Sequence, residues 1–349
     1  MYNASMDKSL PFQSLHGHTL DSDGVLTHKD VLDECLKNKV GVFAFTDHDV
    51  VPLEETVVSL KIVDHPVKFI SGIEVSCDTM PEVEGKIPTL HVTGLFVDVI
   101  NKALLDFQEA QIKDRFARMQ KFVQNLKDLG FLITEEEVLN HVKGRAIIQP
   151  HIVSALKSHP ENISLLEKFF EDLKTKAKTD KLRQKQLDEV LTREENQKWY
   201  ILVMSKDSLH SAYVQYQNSA PISVDDAVRL IRGAGGIALL AHWSYSREKI
   251  TLSILEKYLK ENRLDGLETA YSFGENATHD LFWEDCQKLS ALCKKYNLVE
   301  GGGVDFHRPE NFIGMNDPRF SDFAHKTEGM LERILKKHPK LDFRWTSLS

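Results

Sequence analysis

Residues 12–49 read FQSLHGHTLDSDGVLTHKDVLDECLKNKVGVFAFTDHD, and their order decides the fold. A short apolar segment, Pro11 to Leu15, leads into His16-Gly17-His18. Thr27 and Asp30 have the spacing of a capping box. After them Val31, Leu32, Cys35 and Leu36 repeat at helical spacing. Val40 to Thr46 is an apolar run of strand length that ends at Asp47-His48-Asp49. Strand, helix, strand within one stretch predicts a βαβ unit with a parallel pair. Both strands stop at residues able to hold a metal ion.

Working outward, the alternation continues and then breaks. Pro52 suits the first turn of the next helix. Val67 to Val75 and Thr89 to Val97 read as strands. From Ala103 to Leu129 the pattern is one long amphipathic helix stopped by Gly130, and Thr134 with Glu137 starts another. Glu161 to Lys198 holds nine acidic and nine basic residues and few β-formers, so this whole stretch reads as helical. Alternation returns at Ser223, where Asp226 completes a capping box. Strands are expected at Gly236 to Ala241, Asp265 to Tyr271 and Leu298 to Val304, with helices at Ile250 to Glu261 and Glu275 to Tyr296. The expected organisation is an α/β unit from residues 1–100 and 221–349, interrupted by a helical insertion, 101–220, expected to cap the substrate.

The 349 residues, 42% of them hydrophobic, are enough for a large core, and the net charge of −8 excludes a broadly basic nucleic-acid-binding surface. It leaves room for a small nucleotide or a short oligonucleotide held by a local positive site. Cys35, Cys77, Cys286 and Cys293 form no C-x-x-C pair and are expected to be buried, idle thiols. Met1 to Ser14 has no apolar core of signal-peptide length, and no apolar run is long enough to span a bilayer. A soluble, cytoplasmic protein is expected, with no indicated protein partner.

The candidate ligands fall where predicted strands end. His16 and His18 are two apart, so on extended backbone they point to one side. Asp23 follows in a loop. His48 closes the second strand, Glu74 the third, and His91 lies on the fourth. His242 closes the strand after Gly236. Asp305 and His307, again two apart, close the last. Any one of these has an ordinary reading: an acidic residue at a strand end is usually a cap, and a lone histidine is usually core. The joint pattern is specific, because functional residues of parallel α/β folds gather at the carboxyl ends of strands. Six of the fifteen histidines fall at strand termini, with three carboxylates beside them.

These residues resemble a known family. Leu15-His16-Gly17-His18-Thr19 with Ser22-Asp23-Gly24 looks like the first motif of the PHP (polymerase and histidinol phosphatase) superfamily. Thr46-Asp47-His48-Asp49 looks like the second. Gly72-Ile73-Glu74-Val75 and His91-Val92-Thr93-Gly94 resemble the third, and Leu240-Ala241-His242 and Val304-Asp305-Phe306-His307 the last two. Gly144-Arg145 and Pro150-His151-Ile152 resemble a broken Gly-Arg-Pro-His-Ile segment. The resemblance implies a distorted seven-stranded (βα) barrel of α/β class. It implies one metal at His16, His18, Glu74 and Asp305, a second at Glu74, His91 and His242, and a third at Asp23, His48 and His307. The chain departs from the family at Ser14, where Asp is usual and where weaker orientation of a histidine is expected. It departs again at Ala146 to Gln149, which interrupt the Gly-Arg-Pro-His segment, and at Trp243, where Pro is usual.

Imidazole and carboxylate without thiolate suit two or three Mn, Fe or Zn ions. The expected chemistry is in-line attack on phosphorus by a metal-bridging hydroxide. His151 and Arg145 are candidate catalytic residues, and Arg145 and Arg247 are candidate phosphate grips. Trp243, Tyr245 and Tyr271 could stack a base. The helical insertion makes the chain most similar to nucleoside 3′,5′-bisphosphate phosphatases. A 5′–3′ exonuclease on short oligonucleotides, a histidinol-phosphate-type phosphatase and a non-catalytic metal-binding scaffold are the alternatives.

Overall fold

A computed structural model describes residues 9–85, 87, 90–193, 195–215, 222–271, 279–312 and 321–348. Parts of four expectations fall outside this set: Met1 to Lys8 of the N-terminal segment, Thr89 at the start of the fourth strand, the boundary at residues 220–221, and Glu275 at the start of a late helix. The chain divides into two compact units, one of residues 1–109 and 220–349, the other of 110–219.

The first unit is a seven-stranded sheet in chain order. Its strands are β1 (Phe12–Ser14), β2 (Val40–Phe45), β3 (Lys68–Ser76), β4 (His91–Leu95), β5 (Ile237–Leu240), β6 (Gly266–Tyr271) and β7 (Val299–Gly303). The ends meet: the Leu15 N–H donates to Gly302 O at 2.8 Å, the His18 N–H to Phe306 O at 2.6 Å, and Gly17 bridges Phe306 in parallel. The result is the distorted α/β barrel. Helices α1 (His28–Lys37) and α2 (Glu54–Val63) link the first three strands. Thr27 caps α1 by accepting the Asp30 N–H. Helix α2 starts later than its proline suggests: Leu53 is the N-cap, and Pro52 shapes the extended entry before it.

The alternation of strands and helices predicts parallel pairing throughout, and β4 is the exception, antiparallel to both β3 and β5. A parallel neighbour needs a crossover, usually a helix. The described residues between Ser76 and His91 contain no helix, so the chain simply turns back.

The second unit begins within α3 (Lys102–Asp128); the start of that helix belongs to the barrel, where Gln108 Oε1 accepts the Val51 N–H at 3.0 Å. Gly130 stops α3 at φ +95°. Five helices follow: α4 (Glu135–His141), α5 (Gln149–Lys157), α6 (Pro160–Ala177), α7 (Lys181–Thr192) and α8 (Glu195–Trp199), which runs into a π-helical turn over Tyr200–Met204. Thr134 and Glu137 form the capping box of α4. The charged segment contributes to this unit's core: its Phe169, Leu173 and Val190 are buried with Phe122, Phe131, Ile152 and Trp199, while its charges face water. Buried Asn162 ties the helices to the α3–α4 turn, accepting from Leu132 N–H at 2.8 Å and donating to Leu132 O at 2.7 Å.

In the barrel again, Ser223 caps α9 (Val224–Gly233) with Asp226 in a capping box, Thr251 caps α10 (Leu252–Lys260), and α11 (His279–Lys295) precedes β7. Glu275, the expected start of α11, lies outside the described residues. All four cysteines are free and buried. Among the described residues no helix is long and apolar enough to cross a membrane.

Candidate metal centre

Parallel strands deliver their carboxyl ends to one mouth of the barrel. The reversed β4 delivers its first residue instead, which is why His91 joins the group. Two members stand on strained backbone just past a strand end: His242 at φ +26° and Asp305 at φ +50°. Non-glycine residues at positive φ are uncommon and concentrate at functional sites.

Glu74 is the hub, fully buried. Its Oε2 lies 3.3 Å from His16 Nε2, 3.3 Å from His18 Nε2 and 3.0 Å from His48 Nδ1. Its Oε1 lies 3.0 Å from His91 Nδ1 and 2.8 Å from His242 Nε2. Asp305 Oδ1 approaches His16 Nε2 at 3.4 Å and His18 Nε2 at 3.2 Å. Asp23 draws in His18 Nδ1 at 3.3 Å, His48 Nε2 at 3.6 Å and His307 Nε2 at 3.3 Å. All nine sequence candidates therefore come together. Three overlapping sets have ligand atoms close enough to share an ion: His18, Asp23, His48 and His307; His16, His18 and Glu74; His48, Glu74 and His91.

The donors fit cations. His16 Nε2, His48 Nδ1, His242 Nδ1 and Glu74 Oε2 are buried and lack a well-aligned hydrogen-bond partner, a condition that a bound cation would relieve. Burial would raise the Glu74 and Asp23 carboxyls, yet the surrounding histidines hold both well below the usual carboxylate range. Burial also lowers the imidazoles of His16 and His18, but the carboxylates outweigh it and raise both well above normal. His48 goes the other way, pushed down to about 4 chiefly by burial. Clustered carboxylates held ionised in a buried site demand positive charge beside them, as imidazolium or as metal.

A surrounding layer of groups fixes the imidazoles. His307 Nδ1 lies 2.8 Å from Asp305 O. A carbonyl only accepts, so Nδ1 carries a proton and Nε2 is the nitrogen that faces Asp23. Buried Asp47 accepts from Thr19 N–H at 2.7 Å, Thr19 Oγ1 at 2.9 Å and Ser22 Oγ at 2.7 Å, shaping the loop that carries Asp23. Glu268 on β6 stands 2.7 Å from His16 Nδ1. Residue-by-residue reading gives Glu268 no role. Its signal is a lone carboxylate amid a buried strand, Gly266–Tyr271, where charged residues are almost never found unpaired.

The other candidates are placed as follows. Arg247 Nη1 donates to buried Asp285 Oδ2 at 2.9 Å, and its side chain is 40% exposed. Tyr245 is 52% exposed, and its ring centroid lies 5.5 Å from that of His242. Trp243 and Tyr271 do not offer a stacking face. Trp243 is buried with Nε1 donating to Ile250 O at 2.7 Å, and buried Tyr271 holds Ser244 at 2.6 Å. Arg145 and His151 belong to the helical unit. There His151 Nδ1 accepts the Ile148 N–H at 3.3 Å at the start of α5. Ser14 contacts no imidazole: its Oγ donates to His16 O and accepts the Val304 N–H, both at 3.2 Å.

No family model matches the chain. Over 84% of its length it is 24% identical to a 3′,5′-nucleoside bisphosphate phosphatase of Chromobacterium violaceum, covering 87% of that protein. It is 23% identical to the 5′-3′ exoribonuclease Rnm of Escherichia coli, over 84% of this chain and 85% of that one. A solved structure from Bifidobacterium adolescentis, described as a metal-dependent phosphoesterase, matches with a TM-score of 0.61 at 20% identity, over 93% of this chain and 96% of the other. Motif order and barrel topology fit the PHP superfamily, and these relatives are consistent with it. The relatives support an enzyme of metal-dependent phosphoesterase type.

Proposed function

We propose that the chain hydrolyses a phosphate monoester, the 3′-phosphate of a nucleoside 3′,5′-bisphosphate. The observation that carries this reading is Glu74, one buried carboxylate faced by three imidazoles on one oxygen and two on the other. His16, His18, Glu74 and Asp305 would hold one ion, Glu74, His91 and His242 another, and Asp23, His48 and His307 a third. Bound Mn, Fe or Zn would supply Lewis acidity to the phosphoryl oxygens and make a water more acidic.

The chain's own residues do the positioning. Glu74 holds the two halves of the cluster at one separation. Asp305, through its backbone oxygen, keeps the proton of His307 on Nδ1. Arg247 is the grip for the second phosphate: Asp285 takes one edge of the guanidinium, and the exposed remainder can meet an anion bidentately. Tyr245 is the platform for a base. Arg145 and His151 remain proposed substrate-side residues. Because His151 Nδ1 accepts a backbone N–H, its neutral ring carries the proton on Nε2, the form a leaving oxygen needs.

A second reading is favoured by the Escherichia coli relative: 5′-to-3′ trimming of short oligonucleotides at the same centre. Phosphate or nucleotide release with Mn²⁺ decides between them, measured on adenosine 3′,5′-bisphosphate, AMP, histidinol phosphate and a short 5′-phosphorylated RNA. Release from the bisphosphate alone supports the first reading. Release mainly from RNA replaces it with the second, and silence on all four sinks both.

A further inference from the structure

We infer that Glu268 is the positioning residue that sets two of the metal-facing histidines at once, in the role that the departure at Ser14 appeared to leave weak. This rests on the metal-centre reading above and concerns how that centre is held in shape.

Glu268 is buried, and its two oxygens receive three donors from three different strands or their ends. Oε1 takes His16 Nδ1 at 2.7 Å and Thr93 Oγ1 at 2.9 Å; Oε2 takes the His242 N–H at 3.0 Å. A carboxylate can only accept, so the His16 proton sits on Nδ1. Nε2 is thereby turned between Glu74 and Asp305, at 3.3 and 3.4 Å, as the metal-facing nitrogen. The bond to the His242 backbone acts at the residue whose φ of +26° is most in need of an outside hold. Thr93 pairs across the sheet with Glu74, so the third donor ties β6 to the strand pair that carries the hub.

Ser14 cannot share this work. Its hydroxyl is spent on the His16 carbonyl and the Val304 amide, a clip between β1 and the end of β7. The orienting carboxylate thus comes from β6, far away in sequence. Carboxylates behind metal-binding histidines fix tautomer and ring direction, and losing one typically costs ten- to a hundredfold in metal affinity.

The test is calorimetric titration of chelator-stripped full-length protein with MnCl₂, which needs no substrate and no turnover. Glu268→Gln should weaken the tightest Mn²⁺ site about ten- to a hundredfold. Glu268→Asp, which keeps the charge, should recover part of that loss. Ser14→Ala, with the clip removed and Glu268 intact, should bind within about twofold of wild type. Circular dichroism of each stripped variant reports whether it is folded; if Glu268→Gln fails to fold, Glu268→Asp carries the test, and wild-type affinity in it overturns the assignment. Wild-type affinity in Glu268→Gln, or an equal loss in Ser14→Ala, overturns the assignment while leaving the metal centre intact. Absence of Mn²⁺ binding by wild type overturns both.

Discussion

His91, the first residue of β4, stands directly opposite Ser76, the last residue of β3. That antiparallel register carries His91 to the mouth where every parallel strand ends, and it sets the His91 Nδ1 at 3.0 Å from Glu74 Oε1. A fourth strand in parallel would put its first residue at the opposite end of the barrel. Replacing His91 with Ala should therefore cost metal as well as turnover. Metal analysis after dialysis should show reduced Mn²⁺ per chain, with kcat down roughly 10²–10³-fold, the scale of losing one electrostatic contributor at a reacting centre.

Gly17 separates the two histidines of the first motif for a steric reason. A Cβ there would lie 2.3 Å from the Phe43 ring and 2.9 Å from Phe306 Cβ. Both rings are core, so neither can yield cheaply. Gly17→Ala should destabilise the barrel by about 1–3 kcal/mol, the usual range for overpacking, and should displace His16 and His18 together. Urea unfolding and Mn²⁺ titration of the same sample check the two effects.

Arg247 discriminates among substrates if it grips a second phosphate. Arg247→Met should raise KM for adenosine 3′,5′-bisphosphate about ten- to a hundredfold, the range for a lost hydrogen bond to a charged group. It should leave 3′-AMP, which has no second phosphate, nearly unchanged. An equal rise on both substrates would assign Arg247 to structure alone, as the partner of Asp285.

Away from the centre, Arg263 joins Glu82, Asp225 and the Tyr258 hydroxyl, the last at 2.7 Å. Burial raises the Glu82 carboxyl, but the hydrogen bonds from Arg263 and Tyr258 and the Arg263 charge together outweigh it and hold the group below its usual range. A depressed carboxyl stabilises the fold above its unfolded value, near 4.3, and loses that contribution as pH falls through the folded value. Arg263→Met should cost roughly 1–2 kcal/mol at pH 7, discounted for the partly exposed rim position. The gap to wild type should narrow between about pH 5 and pH 3, a trend that melting curves across pH would show.

Much of this was legible from residues alone, for identifiable reasons. Thr27, Thr134 and Ser223 announced helices because capping is local chemistry within four residues. The apolar runs at Val40, Val67 and Gly236 announced strands because buried strands need no alternation. The nine metal candidates stood out because histidines and carboxylates recur at strand ends, twice as pairs two apart. What stayed hidden is what depends on distant partners. The reversal of β4 follows from a connection without a helix, which composition does not display. Glu268 and Asp47 act on residues from distant segments of the chain, so no spacing reveals their roles. The charged stretch Glu161 to Lys198 hid an apolar face of Phe169, Leu173 and Val190 that only packing exposes.

The most direct test of the central claim is phosphate release from adenosine 3′,5′-bisphosphate by chelator-stripped protein, before and after adding MnCl₂, with Asp305→Ala alongside. The account predicts no release when stripped, recovery on adding Mn²⁺, and none in Asp305→Ala under either condition. Equal rates with and without metal, or full recovery in Asp305→Ala, would contradict it.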